Sequence, residues 1–363
     1  MNTTYHLKNT TKIQLCIIIL SIIMGWILLT LAYSLPTERI SKNLESSVRY
    51  FKETYPRFTN YGSSQLDLYT DAIMLLTSGH KTTEPAYVES LLSKRMYYDG
   101  KNPAQTLYSA YNKKENFVHN NIDNEKTLTI SRYWHGYASI LKPLLSCPSL
   151  HYGQIRALNM VVQLGLFSLL CIGLIKLNKA SLIPIFVACW VFMNPVSTLM
   201  CLQFSTCTIL TFLALNFIIY YFPKHDENLQ HAGYFFTIIG ILTSYLDLLT
   251  FPLITLGLPL LTYFCIREEK NNISILESFK KALFFCWSWC LGYGGMWAGK
   301  WVLASIITDQ NVFLQAYQAI MFRTSTSHNG QNFNVFDVLI KQFHAFDLVI
   351  FIPVKHSAPA RCR

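Results

Sequence analysis

The sequence predicts an all-α, polytopic membrane protein with about seven spans and a large outer loop after the first, because its apolar blocks have the length of bilayer-crossing helices. Two further observations support this. Of 363 residues, 52% are hydrophobic and only 14% are charged, whereas ordinary globular chains carry roughly 25% charged residues. The apolar residues also run in blocks rather than alternating, which excludes the pattern of an outer-membrane barrel.

The formal net charge of +10 does not point to nucleic acid. Lys and Arg form no basic stripe interleaved with aromatics, and much of the excess lies beside apolar blocks, where it reads as topology signal and contact with anionic lipid heads. The expected partner is therefore membrane lipid. Most of the ten cysteines fall inside or beside apolar blocks with no C-x-x-C pair, so they read as small buried hydrophobes.

Taken in order, the first apolar block (15–33) follows a polar start carrying Lys8 and Lys12. It is longer than a cleavable signal core, so it reads as an uncleaved anchor in a first segment, 1–34, with the N-terminus in the cytoplasm. Residues 35–154 then turn polar and tyrosine-rich, an extracytoplasmic loop. Within it, 40–51 and 69–76 place apolar residues at helical spacing and predict amphipathic helices lying against the membrane surface.

A multi-span region follows over 155–306. Spans are expected at 155–175, 181–200, 204–222, two within 232–266, and 282–306. Lys176, Lys179, Lys224, Arg267, Lys270, Lys280 and Lys281 mark the inner loops, as the positive-inside rule requires. Proline disfavours helix at the residue before it, so a turn is expected between Asp247 and Pro252. In the remaining segment, 307–363, an outer stretch precedes an apolar run (335–354) and a polar tail (356–363) that reads as a truncated or frame-shifted end.

The residues able to carry chemistry sort to the outer side. Asp67 and Asp71 are spaced i, i+4, which puts both carboxylates on one helix face, suited to a general base or a divalent cation. Ordinary helix-start acids give the same pattern. Arg132, Tyr133, Trp134 and His135 combine a phosphate clamp, stacking surfaces and a group that titrates near neutrality. An interfacial aromatic belt with a snorkelling arginine is the competing reading. Asp247 lies within apolar sequence, where a carboxylate costs about 2.5–3.5 kcal/mol to insert, and Lys300 is its best partner. Arg323 adds a cation in the last outer segment. His80, His119 and His151 lack ligand spacing and read as solvated surface.

A first span, a long acidic outer loop and then short-looped spans with converging polar groups resemble the GT-C superfamily of polytopic glycosyltransferases. The segments 67–75, 132–137 and 244–252 look like those of uncharacterised bacterial multi-span membrane proteins related to that class. The resemblance implies sugar transfer from a polyprenyl-phosphate donor at the outer face of the cell membrane, with Asp67 or Asp71 as base or metal ligand. Arg132, with Lys300 or Arg323, would hold the phosphate leaving group. The acids here form D-x-x-x-D, whereas many members carry D-x-D. A transporter or flippase, a non-catalytic membrane protein and a truncated, defective fragment of an enzyme are the alternatives.

Overall fold

The computed structural model describes residues 2–52, 58–61, 64–81, 83–96, 102–112, 127–225, 228–247, 249–267, 274–324, 327–328 and 331–332. These are mostly helical and fall into two units, Met1–Val312 and Phe313–Arg363. Among the described residues, three helical segments are long and apolar enough to cross a membrane: Thr10–Tyr33, Tyr152–Lys176 and Leu202–Lys224.

The first lies in α1 (Asn2–Tyr33). Only one narrow face of it is buried, through Gln14, Ile18, Leu29, Ala32 and Tyr33, while Ile19 and Leu20 stand 57% and 66% exposed. Large aliphatics facing outward along a whole helix are costly in water and neutral in hydrocarbon, so this surface is a lipid surface. The one amide on the buried face is satisfied. Gln14 Nε2 donates to Thr237 Oγ1 at 2.9 Å and to Ser288 Oγ at 3.0 Å, tying α1 to α11 (Leu229–Leu246) and α13 (Ile275–Ile307).

α11 and α13 approach backbone to backbone. A methyl group at Gly240 would overlap the Trp289 carbonyl, and one at Gly292 the Thr237 carbonyl. Small residues at such crossings let membrane helices pack by close contact, which replaces the hydrophobic drive that lipid removes. α10 (Leu202–Tyr221) is buried along much of its length against α7 (Tyr152–Lys176) and α12 (Ile254–Arg267). Asn216 Nδ2 donates across to the Leu166 carbonyl at 3.0 Å.

The expected span 181–200 is two helices, α8 (Ile183–Phe192) and α9 (Pro195–Met200). Asn194 sits between them at φ 58° and caps α9 through Ser197 N. The Asn-Pro pair supplies a left-handed residue and a helix start that cannot accept a continuing helix. As expected, α11 ends before the Asp247–Pro252 turn.

Between the first two spans lie α2 (Thr37–Ser47), α3 (Leu68–Gly79), α4 (Ala86–Leu92), α5 (Pro103–Tyr111) and α6 (Ala138–Ser146). Two ribbons join them, β1 (Phe58–Tyr61) with β2 (Ser64–Asp67) and β3 (Arg95–Met96) with β4 (Thr127–Leu128). The apolar faces read from the sequence as lying on the membrane surface cover one another instead. Ile40 and Leu44 of α2 share a fully buried core with Leu75, Leu107 and Leu145. Each amphipathic helix thus finds a protein partner for its stripe.

The second unit holds most of α14 (Val312–Thr324) and the ribbon of β5 (Ser327–His328) with β6 (Gln331–Asn332). The apolar run 335–354 and the polar tail fall outside the described residues.

Candidate functional site

Asp67 and Asp71 start one helix but occupy different environments. Asp67 is half-buried and caps α3, its Oδ1 accepting from Tyr69 N at 2.9 Å. Asp71 is fully buried. Its Oδ2 accepts from Tyr152 OH at 2.6 Å and Leu202 N at 2.9 Å, and its Oδ1 from Gln203 N at 2.9 Å. α10 has no side-chain cap of its own, so a carboxylate from α3 satisfies its first N–H groups and meets the positive end of its dipole. Burial pushes the Asp71 carboxyl up to about 6, against the opposing pull of Tyr152, the two backbone donors and Arg156. Three donors aimed at one carboxylate leave it poorly suited to a cation, and no group of three or more His, Cys, Asp or Glu gathers for a metal among the described residues. The donor set does not fit a divalent ion at Asp71.

The segment 131–137 threads between α11 and α13. The Arg132 carbonyl accepts from Trp297 Nε1 at 2.8 Å and Trp301 Nε1 at 2.9 Å, while Trp134 Nε1 donates to the Met296 carbonyl at 2.7 Å. Three indole N–H groups therefore bind this strap along α13. Gly136 N donates to the Tyr245 carbonyl at 2.9 Å, and a Cβ at Gly136 would strike that carbonyl. Only glycine permits that approach.

The strap divides its side chains. Arg132 and Tyr133 are half-buried, the guanidinium 4.9 Å from the Tyr133 ring centroid, and Tyr133 stacks on Trp297 at 6.0 Å. Arg132 Nε makes no hydrogen bond to the described residues. Trp134 and His135 point inward and are buried. Burial, reinforced by Arg95 and Lys300, drives the His135 imidazole down to about 3, so it is neutral near pH 7.

Asp247 closes the turn after α11, accepting from Thr250 Oγ1 at 2.6 Å and from Thr250 N. It and Tyr133 both lie within electrostatic reach of the Tyr293 hydroxyl, and Thr250 Oγ1 reaches Cys207 Sγ of α10 at 3.9 Å. Asp247 and Lys300 do not pair. Lys300 is fully buried and donates to the Leu91 carbonyl at 2.9 Å, with Ser90 O at 3.4 Å. The first turns of α10 thus carry Asp71 and Gln203 at one end and, through Cys207, the Asp247 turn at the other. Arg323 lies on α14, and its side chain is outside the described residues.

Beside α10 opens a cavity of about 340 Å³, lined by α3, α6, α7, α10 and α11. Met74, Leu144, Leu158, Ile209 and Leu246 line it, and its polar side chains are Tyr137, Asn159, Ser205 and Thr206. Leu202, whose N–H is held by Asp71, forms part of its wall.

Several residues here gave little sequence signal. Tyr152 and Arg156 stand at the start of a span and look like interfacial anchors. Glu89 and Arg95 sit in ordinary polar sequence. Lys142 had a signal, a lone charge in the apolar stretch 138–145. The fold and site define a helical membrane protein that contacts lipid. Comparison with known protein families, curated proteins and solved structures gives no match.

Proposed function

We propose that this chain is a multi-pass enzyme of the cell membrane that transfers a sugar from a polyprenyl-phosphate donor to an acceptor at the outer face, in the manner of GT-C glycosyltransferases. In this reading α1, α7, α8 with α9, α10, α11, α12 and α13 are the seven crossings, and the N-terminus is cytoplasmic. The observation that carries it is the apolar cavity beside α10, bounded by candidate spans and walled by aliphatic side chains. A cavity of that chemistry among lipid-facing helices suits an isoprenoid tail.

The roles then divide. Asp71 is committed to α10 and is a positioning residue. Asp67, half-buried at the end of β2, is the base that takes a proton from the acceptor hydroxyl. Arg132, whose Nε makes no hydrogen bond to the described residues, holds the phosphate as negative charge develops on the leaving group. Tyr133 and Trp297 offer stacked faces to a sugar. No metal is assigned a step.

The test is sugar transfer by the full chain in lipid nanodiscs, with radiolabelled polyprenyl-phosphate sugars and Asp67→Asn as the control. Transfer by the wild-type protein, abolished in a variant that keeps its unfolding temperature, supports the enzyme. Equal labelling by both proteins, or none by the wild type, rejects it. The saturation of Asp71 favours a second reading, a non-catalytic lipid-binding protein in which these acids only build the fold. Polyprenyl lipid that co-purifies but is never turned over is the result that reading expects.

A further inference from the structure

Arg156 is the one cation in the first turns of α7, and the fold leaves its charge unanswered. It is only 9% exposed, yet its guanidinium donates no hydrogen bond and enters no ion pair among the described residues. Its nitrogens keep contact with open space. The Tyr152 ring, one turn earlier, lies 5.3 Å from the guanidinium, and a stacked guanidinium keeps its five N–H groups in plane for an acceptor. Asp71 feels the charge, but its two oxygens are already taken by Tyr152 OH, Leu202 N and Gln203 N. Interiors pair their buried charges and complete their buried donors. The Arg156 donors therefore face an acceptor that the protein itself does not supply.

The residues flanking Arg156 indicate what carries that acceptor. Ile155 and Asn159 of α7 and Leu202 of α10 all line the apolar cavity. Helical side chains lean back toward the N-terminus of their helix, so Arg156 points away from Leu158 and Val162 and toward the end of the cavity walled by Leu202. The Cys201 thiol, next in the chain to Leu202, lies within electrostatic reach of both Arg156 and Asp67. From Leu202 to Leu213 the cavity runs about 16 Å along α10, at about 1.5 Å per residue. Ile140, Leu158 and Leu213 line it and are exposed, so a chain lying inside can continue out into hydrocarbon. A cation at one end of an apolar groove matches an amphiphile with an anionic head.

We propose that Arg156 binds the phosphate of a lipid whose hydrocarbon chain lies in the cavity beside α10. This rests on the reading of that cavity as a tail site and adds its head. The planar guanidinium fork suits two phosphate oxygens at once. The Asp71 charge is turned to its own three donors and to the positive end of the α10 dipole, which leaves the guanidinium for the lipid. Arg132 lies on the strap along α13, so the two arginines can be tested apart.

The probes are farnesyl phosphate, farnesol, dioctanoyl phosphatidylglycerol and inorganic phosphate. Each is added to the delipidated full chain in detergent while the unfolding temperature is followed. A saturable rise is expected with farnesyl phosphate or with the phosphatidylglycerol, since a ligand that binds only the folded state stabilises it by mass action. Which of the two binds more tightly separates a polyprenyl source from a bilayer phospholipid. Arg156→Gln should weaken the response about tenfold, and Arg156→Lys should recover part of it. Arg39→Gln, which removes an exposed charge from α2, should leave it unchanged. The comparison of farnesyl phosphate with farnesol needs no variant, so it holds even where Arg156→Gln misfolds. Equal affinity for those two would leave the tail cavity standing and overturn the phosphate site at Arg156. A response to inorganic phosphate as strong as to the lipids would overturn the lipid as its carrier. No response to any lipid, farnesol included, would overturn both the cavity reading and the proposal.

Discussion

Tyr152 gives its phenolic proton to Asp71 across 2.6 Å, and the same carboxylate holds the first two backbone N–H groups of α10. One side chain thus pins the start of α10 to α3 and to the start of α7.

Asp71→Asn should therefore destabilise the protein more than Tyr152→Phe. The asparagine keeps one acceptor oxygen but turns an NH2 group toward donors that need an acceptor. The expected loss is about 2–3 kcal/mol, against about 1 kcal/mol for losing the phenol alone. Thermal unfolding of both variants checks the order, and equal losses would place the main strain elsewhere.

Protonation should move stability in opposite senses at two buried groups. Asp71 is raised from 3.8 to about 6, so its contribution is present below pH 4 and is lost as pH rises through 6. His135 is lowered from 6.5 to about 3, so its contribution is full above pH 6.5 and falls as pH drops through that value. Between roughly pH 7 and 5 the His135 effect alone should cost about 2 kcal/mol. His135→Asn, which tolerates the φ of 53° found there, should flatten that acid limb. An unchanged limb would mean that the imidazole is hydrated.

Much of the helical order was legible because composition and block length report directly on the solvent around a helix. The break at the Asp247 turn was legible because proline disfavours helix at the residue before it, whereas the break at Asn194 fell inside the expected span 181–200. Asp67 and Asp71 start one helix, but the sequence could not tell the half-buried carboxylate from the fully buried one. That distinction depends on Leu202 and Gln203, more than 130 residues away. The buried cations were hidden likewise. Lys300 looked like a partner for Asp247 because both interrupt apolar sequence, but carbonyls at the end of α4 satisfy it. Tertiary pairing of polar groups leaves no periodic trace.

Gly292→Val should separate α11 from α13. Its new carbon would fall on the Thr237 carbonyl, and Thr237 also accepts from Gln14. The loss should exceed that of Gly294→Val, where nothing lies within 4 Å. At about 1–3 kcal/mol or more for overpacking a close contact, the difference is readable as a lower yield of folded protein in detergent and a lower unfolding temperature. Equal behaviour of the two variants would show that α13 shifts freely past α11.

The cavity beside α10 offers the most direct approach to function. Ser205 lines it and is buried, its hydroxyl already bonded to the Leu202 carbonyl at 2.6 Å. Leu213 lines it two turns further along and is 48% exposed, so a bulky residue there can enter the space without breaking a hydrogen bond. Leu213→Trp should fill part of the cavity at little cost to stability, because one wall of the site is open. If the cavity holds an isoprenoid or acyl chain, the variant should retain less co-purifying lipid by mass spectrometry. Any sugar transfer should then fall through a raised KM, with kcat nearly unchanged, because uniform binding and not the reacting centre has been altered. Lipid retention equal to wild type would place the tail on another face of the bundle, and a fall in kcat alone would place Leu213 closer to the chemistry than the cavity implies.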